Sequence, residues 1–369
     1  MERDLALIIS NFQIKGSYMS GSPIGSGHIN DSYLIRNAQS DAPDYMLQWI
    51  NNYIFKDVEG LMNNFLTVTQ HIAGKNKDGQ TKNALLKLVP TRDGKYYFQD
   101  TEGNYWRVFN FIAGSHVYDI VENKIIAYEG GRAFGRFLKE LADIPIETIY
   151  ETIPDFHNIE KRLDKFYLSV KADPIDRVKD ITSELAFVHS RVDEILEIPR
   201  MQRQGLIPLR ITHNDTKFNN ILFDDSNKAM CIVDLDTIMP GSALFDFGDA
   251  IRSGANTAAE DEKDLNQVSM NINIFEAYAK GYLESTIDLL TETETDLLAF
   301  SAKFITFEQG LRFLTDYIDG DPYYRTHYPE HNLVRAKVQF KLVESMEQQF
   351  DQMRGIIQSI AKSYTSKTY

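Results

Sequence analysis

Thr212-His213-Asn214-Asp215-Thr216-Lys217-Phe218-Asn219-Asn220-Ile221-Leu222-Phe223 is followed shortly by Ala229-Met230-Cys231-Ile232-Val233-Asp234-Leu235-Asp236-Thr237. A His-x-Asp loop carries an Asn five residues after the Asp, and an apolar run then ends in a second Asp 19 residues beyond the first. The apolar runs after Asn220 and before Asp234 can pair as a hairpin, which brings both ends into one cleft. One carboxylate, Asp215, could then accept a proton from a hydroxyl, while the Asn220 amide oxygen and the Asp234 carboxylate hold a hard cation such as Mg²⁺. Those are the parts that phosphoryl transfer needs. Two blander readings compete: Asp215 and Asn220 as turn residues bonding their own backbone, and Asp234-Leu235-Asp236-Thr237 as a phosphatase-type nucleophile motif.

Upstream, the pattern is of short strands around one helix. Ser17–Ser26 is rich in Gly and Ser and reads as a turn, while Ile29–Ile35 and Tyr45–Ile50 read as strands. Asp57 offers an N-cap to a helix whose Leu61, Phe65, Val68 and Ile72 recur at helical spacing. Ala84–Pro90 and Tyr96–Gln99 look like strands of a hairpin turning at Arg92-Asp93-Gly94, and Tyr105–Ile112 is one more strand. From about Ala113 the period changes from 2 to 3.6. Phe134, Phe137, Leu138 and Leu141 make one helical face, and Leu185, Val188, Val192 and Ile195 another. Leu297, Phe300, Phe304, Phe307, Leu311 and Leu314 form the longest stripe. The expected fold class is therefore α+β in two lobes, a β-rich one over 1–112 and a helical one over 113–369.

Composition bounds the function. The 369 residues hold 39 Lys and Arg against 53 Asp and Glu, a formal net charge of -14, with no basic stripe, so a nucleic-acid partner is not expected. One cysteine, Cys231, excludes a disulfide framework, and no apolar run is long enough to span a membrane. A cytoplasmic protein, monomeric or weakly oligomeric, is the expectation. His71, His189, His327 and His331 lack partners at zinc-ligand spacing.

The catalytic segment resembles that of the aminoglycoside phosphotransferase and choline kinase superfamily, whose members share a bilobal protein-kinase-like fold. The run Asp234-Leu235-Asp236-Thr237-Ile238-Met239-Pro240-Gly241, with Leu244-Phe245-Asp246-Phe247-Gly248-Asp249, looks most like the N-acetylhexosamine 1-kinases within it. The resemblance implies ATP and Mg²⁺ between the lobes, Asp215 as catalytic base, His213 as the loop's brace, and Asn220 and Asp234 as metal ligands. It implies that Gly25-Ser26-Gly27 covers the nucleotide phosphates and that backbone groups at Asn110, Phe111 and Ile112 receive the adenine. Kinase-like folds carry a lysine on the third strand, where this chain has Gln48, so a phosphate-binding cation must come from elsewhere; Lys217 is the candidate. Arg312 and Tyr324 are expected in the sugar pocket, with His157 near the acetamido group and Asp246 as a loop brace or a sugar contact. The implied acceptor is a small sugar, N-acetylglucosamine or N-acetylgalactosamine. The alternatives are another acceptor, such as an amino alcohol or aminoglycoside, and a nucleotide-binding protein that has lost catalysis.

Overall fold

The computed structural model describes residues 3–25, 29–76 and 86–366. Helix α1 (Leu5–Ile9) precedes strands β1 (Tyr18–Pro23), β2 (Asp31–Asn37) and β3 (Tyr45–Ile50); helix α2 (Val58–Asn76) then leads to β4 (Phe98–Gln99) and β5 (Tyr105–Asn110). The five strands form one antiparallel sheet in the order β1-β2-β3-β5-β4. Both faces are covered, which explains the mixed polarity of β3. Tyr45 and Leu47 pack with Trp106, Val108 and the Ile8, Ile9 and Phe12 end of α1. Met46 and Ile50 alternate to the other face, against Phe65 and Leu61 of α2 respectively.

The rest of the chain is mainly helical, as the change of period implies: α3 (Lys124–Leu141), α4 (Ile159–Ala172), α5 (Thr182–His189), α6 (Val192–Ile195) and α7 (Glu197–Arg203) precede a strand-rich island. The island holds β6 (Arg210–Thr212), β7 (Ile221–Phe223), β8 (Ala229–Ile232) and β9 (Met239–Gly241), with β6 paired to β9 and β7 to β8. Helices α8 (Ala243–Gly254), α9 (Ile272–Thr286), α10 (Glu292–Ile318), α11 (His331–Gln348) and α12 (Phe350–Thr365) complete the order. Helix α10 starts at a capping box between Thr291 and Glu294, and its Phe300, Phe304, Phe307, Leu311 and Leu314 lie in the main core. Among the described residues no helix is long and apolar enough to cross a membrane.

Three local expectations change. The Gly/Ser stretch is an edge strand rather than a turn, paired to β2 from Tyr18 to Pro23, because Gly21 lets Leu5 of α1 close against it. Phe98 and Gln99 pair with β5, and Leu88 bridges to Phe109 of the same strand, so the two segments flanking Arg92-Asp93-Gly94 do not form a hairpin with each other. The face expected over Leu185–Ile195 is broken between α5 and α6, where the Ser190 hydroxyl donates to the Phe187 carbonyl at 2.9 Å and competes with helix continuation.

Candidate active site

The loop after β6 is held rigid from below. Asp246, buried near the start of α8, accepts from the backbone N–H of His213 at 3.0 Å and of Asn214 at 2.7 Å. Asn214 sits in the left-handed region with φ 63°, and its amide donates to the Thr237 carbonyl at 2.9 Å. His213 is fully buried edge-on to Phe134 and Phe137, with Nε2 at 2.9 Å from the Val233 carbonyl and Nδ1 accepting from the Asp215 N–H at 3.3 Å. Those two bonds require the neutral ring with its proton on Nε2. His213 thus ties the loop between the Val233 carbonyl and the Asp215 N–H. Asp246 holds the loop from below, with one oxygen engaged by the His213 N–H and the other by the Asn214 N–H. Burial pushes its carboxyl up to about 6, against the pull of the backbone N–H groups of His213 and Asn214.

Asp215 emerges from this support with its side chain 25% exposed and Oδ1 3.0 Å from Lys217 Nζ. Burial works to raise its carboxyl, but the charge and hydrogen bond of Lys217, with Arg252 behind them, together hold the group down at about 2. Asn220, in a 3-10 turn ahead of β7, donates from Nδ2 to the Asp215 carbonyl at 2.8 Å and to Oδ2 at 3.2 Å. Asp234 follows β8 with φ 57° and opens to solvent within the cleft. The surrounding protein, then the charges of Asp236 and Asp215, push its carboxyl up to about 6. Carboxylates whose charges crowd one another in this way are what a hard cation relieves. Among the described residues no group of three His, Cys, Asp or Glu side chains stands ready to hold a metal alone.

Gln48, half-buried on the face of β3 that also carries Met46, is engaged by its neighbours. Its Nε2 donates to Ser32 Oγ at 2.9 Å, and its Oε1 accepts from Arg107 Nε at 2.9 Å. Arg107 is the cross-strand neighbour of Gln48 on β5, is 1% exposed, and reaches the Asp236 carboxylate at 2.6 and 2.7 Å. Sequence reasoning passed over it, although a single charge in the run Tyr105-Trp106-Arg107-Val108-Phe109 was a signal.

The expected nucleotide contacts divide. Ser26 and Gly27 lie outside the described residues, while Gly25 has φ 83° with open space around it. The N–H groups of Asn110 and Phe111 are already bonded to the carbonyls of Lys87 and Asp44, both at 3.0 Å. Ile112 alone of the three has an N–H without a partner among the described residues. Partly exposed Met46 and Ile112 approach from the sheet side and Leu222 and Ile232 from β7 and β8, all packed on one apolar cluster. The arrangement offers a planar base two apolar walls.

On the helical side, Glu308 and Asp316 of α10 are buried. Asp316 accepts from the N–H groups of Tyr323 and Tyr324 at 2.9 and 3.0 Å, which sets that loop over Arg312. Arg312 lies 5.4 Å from the Phe156 ring and 5.8 Å from the Tyr324 ring, and its one described side-chain bond is to Gln309 Oε1. Nearby Arg162 donates to the Phe156 carbonyl at 2.8 Å, and its buried Nε has no partner. His157 spans Glu308, at 3.3 Å, and the Asn214 carbonyl, at 3.2 Å, and lines a cavity of about 280 Å³. Burial works to lower its ring pKa, yet the Glu308 carboxylate outweighs that and raises it. Arg252 holds Asp249 at 2.8 Å and Glu260 at 3.3 Å. Tyr317 and Tyr328 are elsewhere, against Arg177 and His331 respectively.

Compared with known proteins, residues 20–284 match the model of a family described as the phosphotransferase enzyme family. Among solved structures, the fold is similar to a microcompartment-associated aminopropanol kinase, at TM-score 0.64 and 15% identity over 94% of this chain and 97% of that one. It is also similar to an amicoumacin kinase in complex with AMP-PNP and Ca²⁺ (0.59, 12%, 94% of each chain). A choline kinase from Cryptosporidium parvum is a third (0.57, 14%, 95% of this chain and 96% of that one). The α+β architecture of small antiparallel lobe and larger helical lobe is the kinase-like one these proteins share.

Proposed function

The chain belongs to the phosphotransferase enzyme family, and from that premise we propose that it transfers the γ-phosphoryl group of ATP to the anomeric hydroxyl of an N-acetylhexosamine. Asp215 orients that hydroxyl and accepts its proton as the oxygen attacks phosphorus in line. Lys217 keeps Asp215 ionised and stands where it can meet the transferring group. Asn220 and Asp234 would hold Mg²⁺, which supplies charge neutralisation at the phosphates. The Met46, Ile112, Leu222 and Ile232 walls receive the adenine.

The choice of acceptor is carried by one observation: the carboxylates Glu308, Asp316, Asp249 and Glu260 are each engaged, while among the described residues Arg162 and Arg312 have no carboxylate partner. Glu308 meets His157, Asp316 meets two backbone N–H groups, and Asp249 and Glu260 meet Arg252. Among the described residues, the side chains of Arg162 and Arg312 bond to a carbonyl and an amide oxygen respectively. A pocket so charged opposes an ammonium acceptor of the aminopropanol or choline kind. It suits a neutral polyol with a carbonyl substituent, and the Tyr324 and Phe156 rings can cover a sugar face. The test is Mg²⁺-dependent ATP consumption with N-acetylglucosamine, N-acetylgalactosamine, glucose, galactose, choline and kanamycin, with phosphorus NMR of the product. An anomeric phosphate from the N-acetylated sugars is the expected outcome; consumption with choline or kanamycin alone would overturn the acceptor, and ATP binding without any turnover would favour a protein that has lost catalysis.

A further inference from the structure

We infer that the buried Arg107–Asp236 pair is a positioning device that replaces the missing strand lysine: it ties the sheet to the metal-binding strand and sets where Asp234 stands. Three observations converge on it. First, Gln48 and Arg107 are directly opposed on β3 and β5, so the positive charge absent from one strand has moved to its neighbour. Second, the guanidinium is 1% exposed and wholly committed: Nε and one terminal nitrogen to Gln48 Oε1, and the terminal nitrogens to the Asp236 carboxylate. It cannot reach a phosphate, so it acts through Asp236, two residues after Asp234. Third, Asn30 Nδ2 donates to the same carboxylate at 2.6 Å, while Asn30 Oδ1 accepts from the Asn51 N–H at 2.9 Å just past β3. One carboxylate thus collects ties from β5 and from the segments flanking β2 and β3.

Helix α2 contributes no acid to this device. Its buried Asn64 donates instead to the carbonyls of Ile238, at 3.0 Å, and Tyr150, at 2.7 Å. The Asp236 turn is therefore held on two sides by sheet-lobe side chains, and Thr152 Oγ1 donates to the Asp236 carbonyl at 3.1 Å. A buried ion pair contributes little net stability compared with an apolar replacement, but it fixes geometry, and removing one partner strands the other. Outer partners of metal ligands act on affinity in the same way.

The inference rests on the nucleotide-binding part of the function proposed above and not on the identity of the acceptor. It is tested without an acceptor, by calorimetric titration of a non-hydrolysable ATP analogue into the full chain at a series of Mg²⁺ concentrations. Arg107→Met and Asp236→Asn should each weaken the apparent Mg²⁺ affinity by about 10–100-fold, and the double variant by about the same factor as either alone. A purely structural Arg107 would lower the melting temperature and the folded fraction and leave the Mg²⁺ dependence of the folded protein unmoved, which would overturn the inference. Should Arg107→Met not fold, Arg107→Lys, which keeps the charge but loses the fork, and Asn30→Ala carry the test; both must shift the Mg²⁺ dependence in the same direction by a smaller factor, and unmoved values overturn it. A wild-type chain that binds no nucleotide with Mg²⁺ would overturn the proposed function as well.

Discussion

Asn214 shows how tightly the catalytic loop is specified. Its left-handed φ of 63° suits asparagine, whose short side chain bonds locally, and that side chain fills the space beside Gly241, where a Cβ would overlap Thr212 Oγ1 and leave only 2.6 Å to Asn214 Oδ1. One residue further on, Asp215 is presented to the cleft with nothing of its own backbone left to settle. The same loop is tied to the acceptor helix by His157, whose ring sits between the Asn214 carbonyl and Glu308. The ring pKa is raised above its ordinary 6.5 and the Glu308 carboxyl is lowered from 4.5. The stabilisation from the imidazolium is therefore fully present below about 6.5 and is lost as pH rises through the higher folded value. The carboxylate's share is lost only as pH falls below 4.5. His157→Gln should accordingly cost melting temperature at pH 6, with the gap to wild type narrowing by pH 9; a gap independent of pH would mean that His157 is neutral in the fold.

At the scale of elements, legibility followed distance along the chain. The catalytic loop and metal strand were readable because Asp215, Asn220 and Asp234 form a local pattern. Helix α10 was readable because its apolar stripe runs through most of its 27 residues. Arg107 was not, since its partner Asp236 is 129 positions away and nothing local marks the pair. Strand β1 was misread because Gly and Ser favour turns locally, while pairing to β2 and contact with α1 decide the outcome. The crossing of α3 and α9 is another long-range feature. A Cβ at Gly131 would overlap the Tyr278 carbonyl, and one at Gly281 the Tyr128 carbonyl. Gly281→Ala should force the helices apart and cost about 1–3 kcal/mol in denaturant unfolding. The Michaelis constant for ATP should stay unchanged, because neither helix side is in the cleft; a variant as stable as wild type would show that the crossing is loosely packed.

Across the whole molecule the lobes share one apolar cluster, in which Phe65 and Val68 of α2 and Phe109 of β5 pack with Phe137, Leu141, Ile211, Leu235 and Ile238. The cleft is thus lined from both sides, and in the proposed function its tasks separate: nucleotide and metal would be held jointly by the two lobes, whereas the proton of the acceptor would fall to the Asp215 carboxylate alone. Asp215→Asn tests that separation, because the amide keeps the shape of the loop and removes only the base. With the phosphorylated acceptor in hand, turnover of Asp215→Asn should fall by about 10²–10⁴-fold while the dissociation constant for the Mg²⁺-bound ATP analogue stays within about threefold of wild type. Turnover preserved in that variant, or nucleotide binding lost along with it, would contradict the account.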